Sequence, residues 1–109
     1  VYINSGCVIY SGNGVKIKNN VLIGPNCSLV PVNHNIPERN TLIRLSGFSS
    51  TKGGIIIEDD VWLGANVTIL DGAVIHEGAV VGANSLVKGN IEPYSINYGT
   101  PCRLIKYRR

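Results

Sequence analysis

Residues 57–87 read IEDDVW LGANVT ILDGAV IHEGAV VGANSL V when cut into blocks of six. The first position of each block holds Ile57, Leu63, Ile69, Ile75, Val81 and Val87, all branched aliphatics. The fifth position holds Val61, Val67, Ala73, Ala79 and Ser85, all small or β-branched. Because Ile, Leu and Val make up about a third of the chain, six hits in one register arise by chance on the order of once in a thousand. A six-residue period belongs to neither an α-helix nor simple strand alternation. It marks short strand legs wound into coils, the pattern of a hexapeptide-repeat parallel β-helix. Coils stack at about 4.8 Å with backbone hydrogen bonds along the stack, and each depends on its neighbours for a core.

The composition fits. The chain has 109 residues, enough for one domain spanning 1–109, with 44% hydrophobic residues but only 6% aromatic, and 13 glycines. A narrow aliphatic core with frequent tight corners suits those figures; a globular core of large rings does not. No apolar run approaches the ~20 residues of a membrane span, and no signal-peptide pattern opens the chain. The first residue is Val, so the expectation is a processed chain or the C-terminal part of a longer one. Cys7, Cys27 and Cys102 match no metal spacing, and Cys7 and Cys27 fall at small interior positions, where buried thiols are expected. Cytoplasmic location is the default. The formal charge is +3, with Arg103, Lys106, Arg108 and Arg109 at the end. That cluster is either a solvated tail or a dock for a small phosphorylated ligand. Nucleic acid is not expected, because no basic stripe interleaves with stacking aromatics.

Upstream, Ile3, Ile9 and Ile17 are predicted to point inward, with an SGNG corner at 11–14 adding two residues. Regular blocks led by Ile17, Ile23 and Leu29 follow, and then the register fails. Residues of about 35–54 form a polar loop that solenoids expel to one face. It also carries Leu42, Ile43, Leu45 and Phe48, which need burial on something, such as a neighbouring subunit. The repeats fade after Val87, and a tail of about 92–109 is expected to leave the coil and fold back along it. Ile56, Trp62, Leu70, Val74 and Val80 fall at outward positions, and exposed apolar area of that kind marks an interface.

The block VWLGANVTILDGAVIHEGAVVGANSLV, followed by GTPCRLIKYR, resembles the hexapeptide-repeat acyltransferases. YIN near the start, NH before the long loop and the G-x-P-C-R tail make the sugar O-acetyltransferase branch, with its maltose and galactoside acetyltransferases, the nearer likeness. The resemblance covers nearly the whole chain. It implies a left-handed β-helix, an exception to the usual crossover hand. It further implies acetyl-CoA as cosubstrate, no metal, and a homotrimer with active sites between subunits, closed by the long loop.

By that resemblance His34 is the catalytic base, which a sugar hydroxyl needs at neutral pH and which histidine suits. Read alone, it is more simply a loop-edge histidine bonded to backbone. Asn4 matches an acceptor-side asparagine whose amide can orient a hydroxyl; its other reading is a corner residue in a left-handed turn. The amide of Ala65, after Trp62 and Gly64, matches the oxyanion donor. Trp62, Gly64, Ala65 and Ala83 would line the CoA path, although Trp62 could simply pack at an interface. The family's Thr-Lys pair falls on Lys88 and Gly89, so the lysine stands one position early. Arg103 and Lys106 match basic tail positions facing the CoA phosphates. Glu38 would partner His34. His76 is read as an exposed corner residue.

The implied function is acetyl transfer from acetyl-CoA to a hydroxyl of a sugar or glycan. Alternatives are N-acetylation of an amino sugar and a non-catalytic structural coil. A γ-class carbonic anhydrase shares the coil but needs three histidine ligands; this chain has two histidines.

Overall fold

The computed structural model describes residues 1–109. Thirteen of the fourteen strands wind into a three-sided prism, and the whole chain, loop included, extends over 52 × 25 × 22 Å. The first face stacks β1 (Tyr2–Ile3), β4 (Leu22–Ile23), β7 (Trp62–Leu63), β10 (Val80–Val81) and β13 (Ser95–Tyr98), with β14 (Arg103–Tyr107) at its edge. The second stacks β2 (Val8–Ile9), β5 (Ser28–Val30), β8 (Thr68–Leu70) and β11 (Leu86–Val87). The third stacks β3 (Val15–Ile17), β6 (Ile55–Ile57), β9 (Val74–Ile75) and β12 (Asn90–Ile91). Successive strands visit the three faces in turn, and every pairing is parallel except β13 with β14. Trp62 lies beside Val80 and Thr68 beside Leu86, so three hexapeptides complete one coil. The architecture is the left-handed parallel β-helix.

The repeat pattern translates directly into burial. Ile57, Leu63, Ile69, Ile75, Val81 and Val87 are fully buried, and Val61, Val67, Ala73, Ala79 and Ser85 are buried beside them. Corners between legs need a left-handed residue, which Asn tolerates better than most. Asn26, Asn66 and Asn84 supply it at the first corner, with φ of 60°, 58° and 63°. Cys27 is buried and Cys7 half-buried; their thiols donate to the carbonyls of Gly64 and Gly24.

Three expectations change. Ile3 and Ile9 point inward yet remain 44% and 40% exposed, because no coil of this chain lies beneath them. The chain also does not leave the coil at about residue 92: after β12, β13 continues it by parallel pairing. The sequence pattern fades there because polar side chains, Ser95 and Asn97, take inward positions. They are satisfied locally, Ser95 Oγ donating to the Glu92 carbonyl and Asn97 Nδ2 to Ser95 Oγ and the Val80 carbonyl. Only β14 folds back, antiparallel on β13. Finally, His76 is half-buried rather than exposed, because the adjacent coil offers a partner: its Nδ1 meets Glu58 Oε1 at 2.9 Å.

The loop leaves at the second corner, between the second and third faces. A short antiparallel neck closes it. Asn35 N–H donates to the Gly47 carbonyl at 2.9 Å and Ser49 N–H to the Asn33 carbonyl at 2.8 Å. Asp71 then fixes the returning strand by accepting from the N–H groups of Lys52 and Gly54, both at 2.8 Å. Beyond the neck is a single 3₁₀ turn, Ile43–Leu45. Leu42, Ile43, Leu45 and Phe48 are each 57–67% exposed, so nothing in one chain covers them.

Candidate active site

The outward side chains of the first face form a column. Strand register places Trp62, Val80, Ile96 and Lys106 side by side. Together with Gly64, Ala65, Gly82, Ala83 and Tyr98 they line an apolar groove of about 480 Å³. Trp62, Gly64, Ala65, Ala83 and Lys106 were all expected from sequence. Ile96 and Tyr98 were not, since both lie where the repeat is no longer legible. A Cβ on Gly82 would collide with the Tyr98 ring, so this glycine gives the tyrosine its seat.

The groove runs to the first corner, where a column of Gly24, Gly64 and Gly82 ends the strands. A Cβ on Gly24 would stand 2.9 Å from the Ala65 nitrogen, and one on Gly64 would stand 2.8 Å from the Ala83 nitrogen. The glycines therefore leave these amides uncovered. The Ala65 N–H donates to no group in the chain, while its carbonyl accepts from Asn84. Asn4 occupies the same column two coils below, about 10 Å away at the coil spacing. It is not a left-handed corner residue; Gly6 takes that role with φ of 79°. The Asn4 amide donates to the Ile23 carbonyl at 3.0 Å, leaving its Oδ1 free to accept.

His34 stands in the loop neck at the second corner. Asn33 Oδ1 accepts from its backbone N–H at 2.9 Å, and its ring stacks on Phe48 with centroids 4.7 Å apart and planes inclined at 27°. Neither ring nitrogen is hydrogen-bonded within the chain. Glu38 does not reach it: its carbonyl closes a turn to Thr41, and its carboxylate makes no hydrogen bond. The whole second face separates His34 from Asn4 and Ala65, so one chain does not bring them together. Lys88 sits on the His34 side, in a separate polar cleft of about 260 Å³ with Asn33, Ser49, Lys52 and Asp71. Arg103, opposite Tyr98 at the start of β14, is exposed and lies outside the groove lining.

Electrostatics elsewhere is structural. The hydrogen bond from His76, with Lys18 at 3.7 Å, holds the Glu58 carboxyl below its ordinary range. Burial raises the Cys27 and Cys102 thiols, which keeps them protonated and poor nucleophiles. No helix is long and apolar enough to cross a membrane, and no group of three His, Cys, Asp or Glu side chains is placed to hold a metal ion.

The parallel prism of hexapeptide coils, with its apolar groove, open corner amides and histidine-bearing loop, defines the class by architecture: a hexapeptide-repeat β-helix. Residues 54–89 match the bacterial transferase hexapeptide (six repeats) family. The chain is 33% identical to the galactoside O-acetyltransferase of Escherichia coli over 109 residues, 96% of this chain and 50% of that protein. Among solved structures, it superposes on a hexapeptide-repeat-containing acetyltransferase from Vibrio cholerae, determined with acetyl coenzyme A. The TM-score is 0.86 at 35% identity, over 96% of this chain and 55% of that one. A maltose O-acetyltransferase from Clostridium difficile gives a TM-score of 0.83 at 31% identity, over 99% and 56%. Residues 54–89 thus carry the hexapeptide repeat of the bacterial transferases, and the chain is similar to galactoside and maltose O-acetyltransferases along most of its own length. It spans about half the length of these relatives.

Proposed function

We propose that this chain carries an acetyl-CoA-dependent O-acetyltransferase that acts on a hydroxyl of a sugar or glycan by direct transfer. The observation that carries the reading is the apolar groove on the first face, ending at the unpaired Ala65 N–H that Gly24 leaves uncovered. A thioester laid along Trp62, Ala65 and Ala83 would bring its carbonyl oxygen to that N–H. The relatives support the chemistry, since one was solved with acetyl-CoA and others are sugar O-acetyltransferases.

His34 is the base in this reading. It takes the acceptor's hydroxyl proton as the oxygen attacks the thioester carbonyl carbon, and the Ala65 N–H stabilises the resulting oxyanion. Collapse breaks the C–S bond, and His34 returns the proton to the departing thiolate. Asn4 orients the acceptor by accepting from a second hydroxyl through its free Oδ1. Since His34 and the groove occupy different corners of one chain, the site is assembled between copies in a homotrimer. The exposed Tyr2, Leu22 and Trp62 strip of one copy then packs near the apolar loop of the next. Lys106 meets the CoA phosphates.

The deciding experiment is CoA release with acetyl-CoA and a panel of sugars, comparing wild type with His34→Ala. Turnover should fall by roughly 10²- to 10⁴-fold while CoA still binds. Near wild-type turnover by the variant would sink the assignment. Calorimetry with acetyl-CoA separates the enzyme from a purely structural coil, which would give no binding heat at millimolar ligand.

A further inference from the structure

Lys106 does not reach the groove by regular strand pairing. The antiparallel ladder between β13 and β14 runs Tyr98 with Arg103 and Asn97 with Leu104, then slips to Ile96 with Lys106 and Ser95 with Tyr107. Ile105 is the extra residue, a β-bulge, and a bulge re-aims the side chains that follow it. Residues paired across an antiparallel ladder share a face of the sheet. Without the slip, Lys106 would lie opposite Ser95, which is fully buried on the inner face. With it, Lys106 joins Ile96 in the outward column of Val80 and Trp62. One residue of register thus decides whether the ammonium faces the groove.

The next rung holds that register. Arg108 N–H donates to the Tyr94 carbonyl at 2.7 Å. Its guanidinium Nη1 donates to the Gly78 carbonyl at 3.0 Å and to Asp60 Oδ2 at 3.2 Å, and its central carbon lies 5.8 Å from the centre of the Tyr94 ring. Asp60, Gly78 and Tyr94 are successive third-corner residues of three stacked coils. Gly78 admits the Tyr94 ring, since a Cβ there would collide with it. In the unslipped ladder Tyr107 would face Tyr94, and Arg108 would move one residue along the strand, roughly 3.4 Å from its anchors.

We propose that Arg108 is a positioning residue: by clamping the last strand to the third corner it enforces the bulged register that turns Lys106 into the groove. The proposal rests on the reading that Lys106 meets the phosphates of CoA. Calorimetric affinity for acetyl-CoA is measured for wild type, Lys106→Ala, Arg108→Ala and the double variant, with thermal unfolding of each as a folding control. Each single change should weaken binding by roughly two- to fivefold, the scale of an exposed charge contact. The double variant should bind no more weakly than Lys106→Ala, because both changes remove the same interaction. Asp60→Asn, which loosens the clamp from its other side, should weaken binding less, and only when Lys106 is present. Unchanged affinity in Arg108→Ala beside a weakened Lys106→Ala overturns the clamp, as does a double variant whose losses multiply. Wild-type affinity in Lys106→Ala overturns the CoA assignment of that lysine itself, and the clamp with it.

Discussion

Ala65 contributes only a backbone N–H to the proposed site, so replacing its side chain should matter little and removing that one hydrogen should matter greatly. The fold supplies the test. Pro25 occupies the same corner position one coil below, so this corner accepts a proline. Ala65→Pro should keep the fold while lowering kcat by roughly 10²- to 10³-fold, the cost of one lost oxyanion donor. Circular dichroism and steady-state turnover on one preparation check both halves. The amide could not be read from sequence, because any residue but proline supplies it. The informative signal is Gly24, whose place beneath Ala65 emerges only when the long loop is subtracted from the coil offset. His34, in contrast, enters the proposed site through resemblance alone, and its stacking on Phe48 is not legible in sequence, since the intervening loop hides the pairing. Glu58 gives a pH-dependent expectation. Its folded-state carboxyl lies below the ordinary value, chiefly through His76. Its contribution is therefore present above the ordinary carboxylate range and lost as pH falls through the lowered value. The Tm difference between wild type and Glu58→Gln should be visible at neutral pH and vanish in strong acid.

At the scale of the strand, two neighbouring residues carry opposite assignments. Ile69 is fully buried at the first position of its repeat, while Thr68 beside it faces outward. Ile69→Ala should destabilise the coil by about 2–5 kcal/mol, and Thr68→Ala should change it by no more than about 0.5 kcal/mol. Urea unfolding of both variants checks the contrast; equal losses would contradict the inward register. This alternation was the most legible part of the molecule, because parallel stacking forces each inward side chain onto its counterpart in the next coil. It became illegible where that demand relaxes. The top of the coil has no aliphatic layer above it, so Ser95 and Asn97 can turn inward and bond to backbone and to each other. The bulge at Ile105 is equally silent in sequence, because it is fixed by Arg108 reaching residues far away in the chain.

The whole molecule poses the question that one chain leaves unanswered, namely how His34 meets the groove. The corners of the prism are set by hydrogen-bonded stacking of its coils, and the second face stands between the two halves of the proposed site. A loop hinge would have to carry His34 around a full face, yet the neck is pinned at both ends by backbone hydrogen bonds and by Asp71. In the proposed trimer a neighbouring copy would supply the missing half without any such motion. In a cyclic, head-to-tail assembly each site takes the loop of one copy and the groove of the next. Mixing two inactive variants then becomes informative. His34→Ala chains retain a sound groove, and Ala65→Pro chains retain a sound base. Co-expressed in equal amounts, they should assemble trimers in which about a quarter of the sites pair an intact His34 with an intact Ala65 amide. Turnover should recover to about that fraction of wild type, with sedimentation giving a three-chain mass throughout. A site built within one chain would show no recovery, because every chain in the mixture carries one of the two lesions.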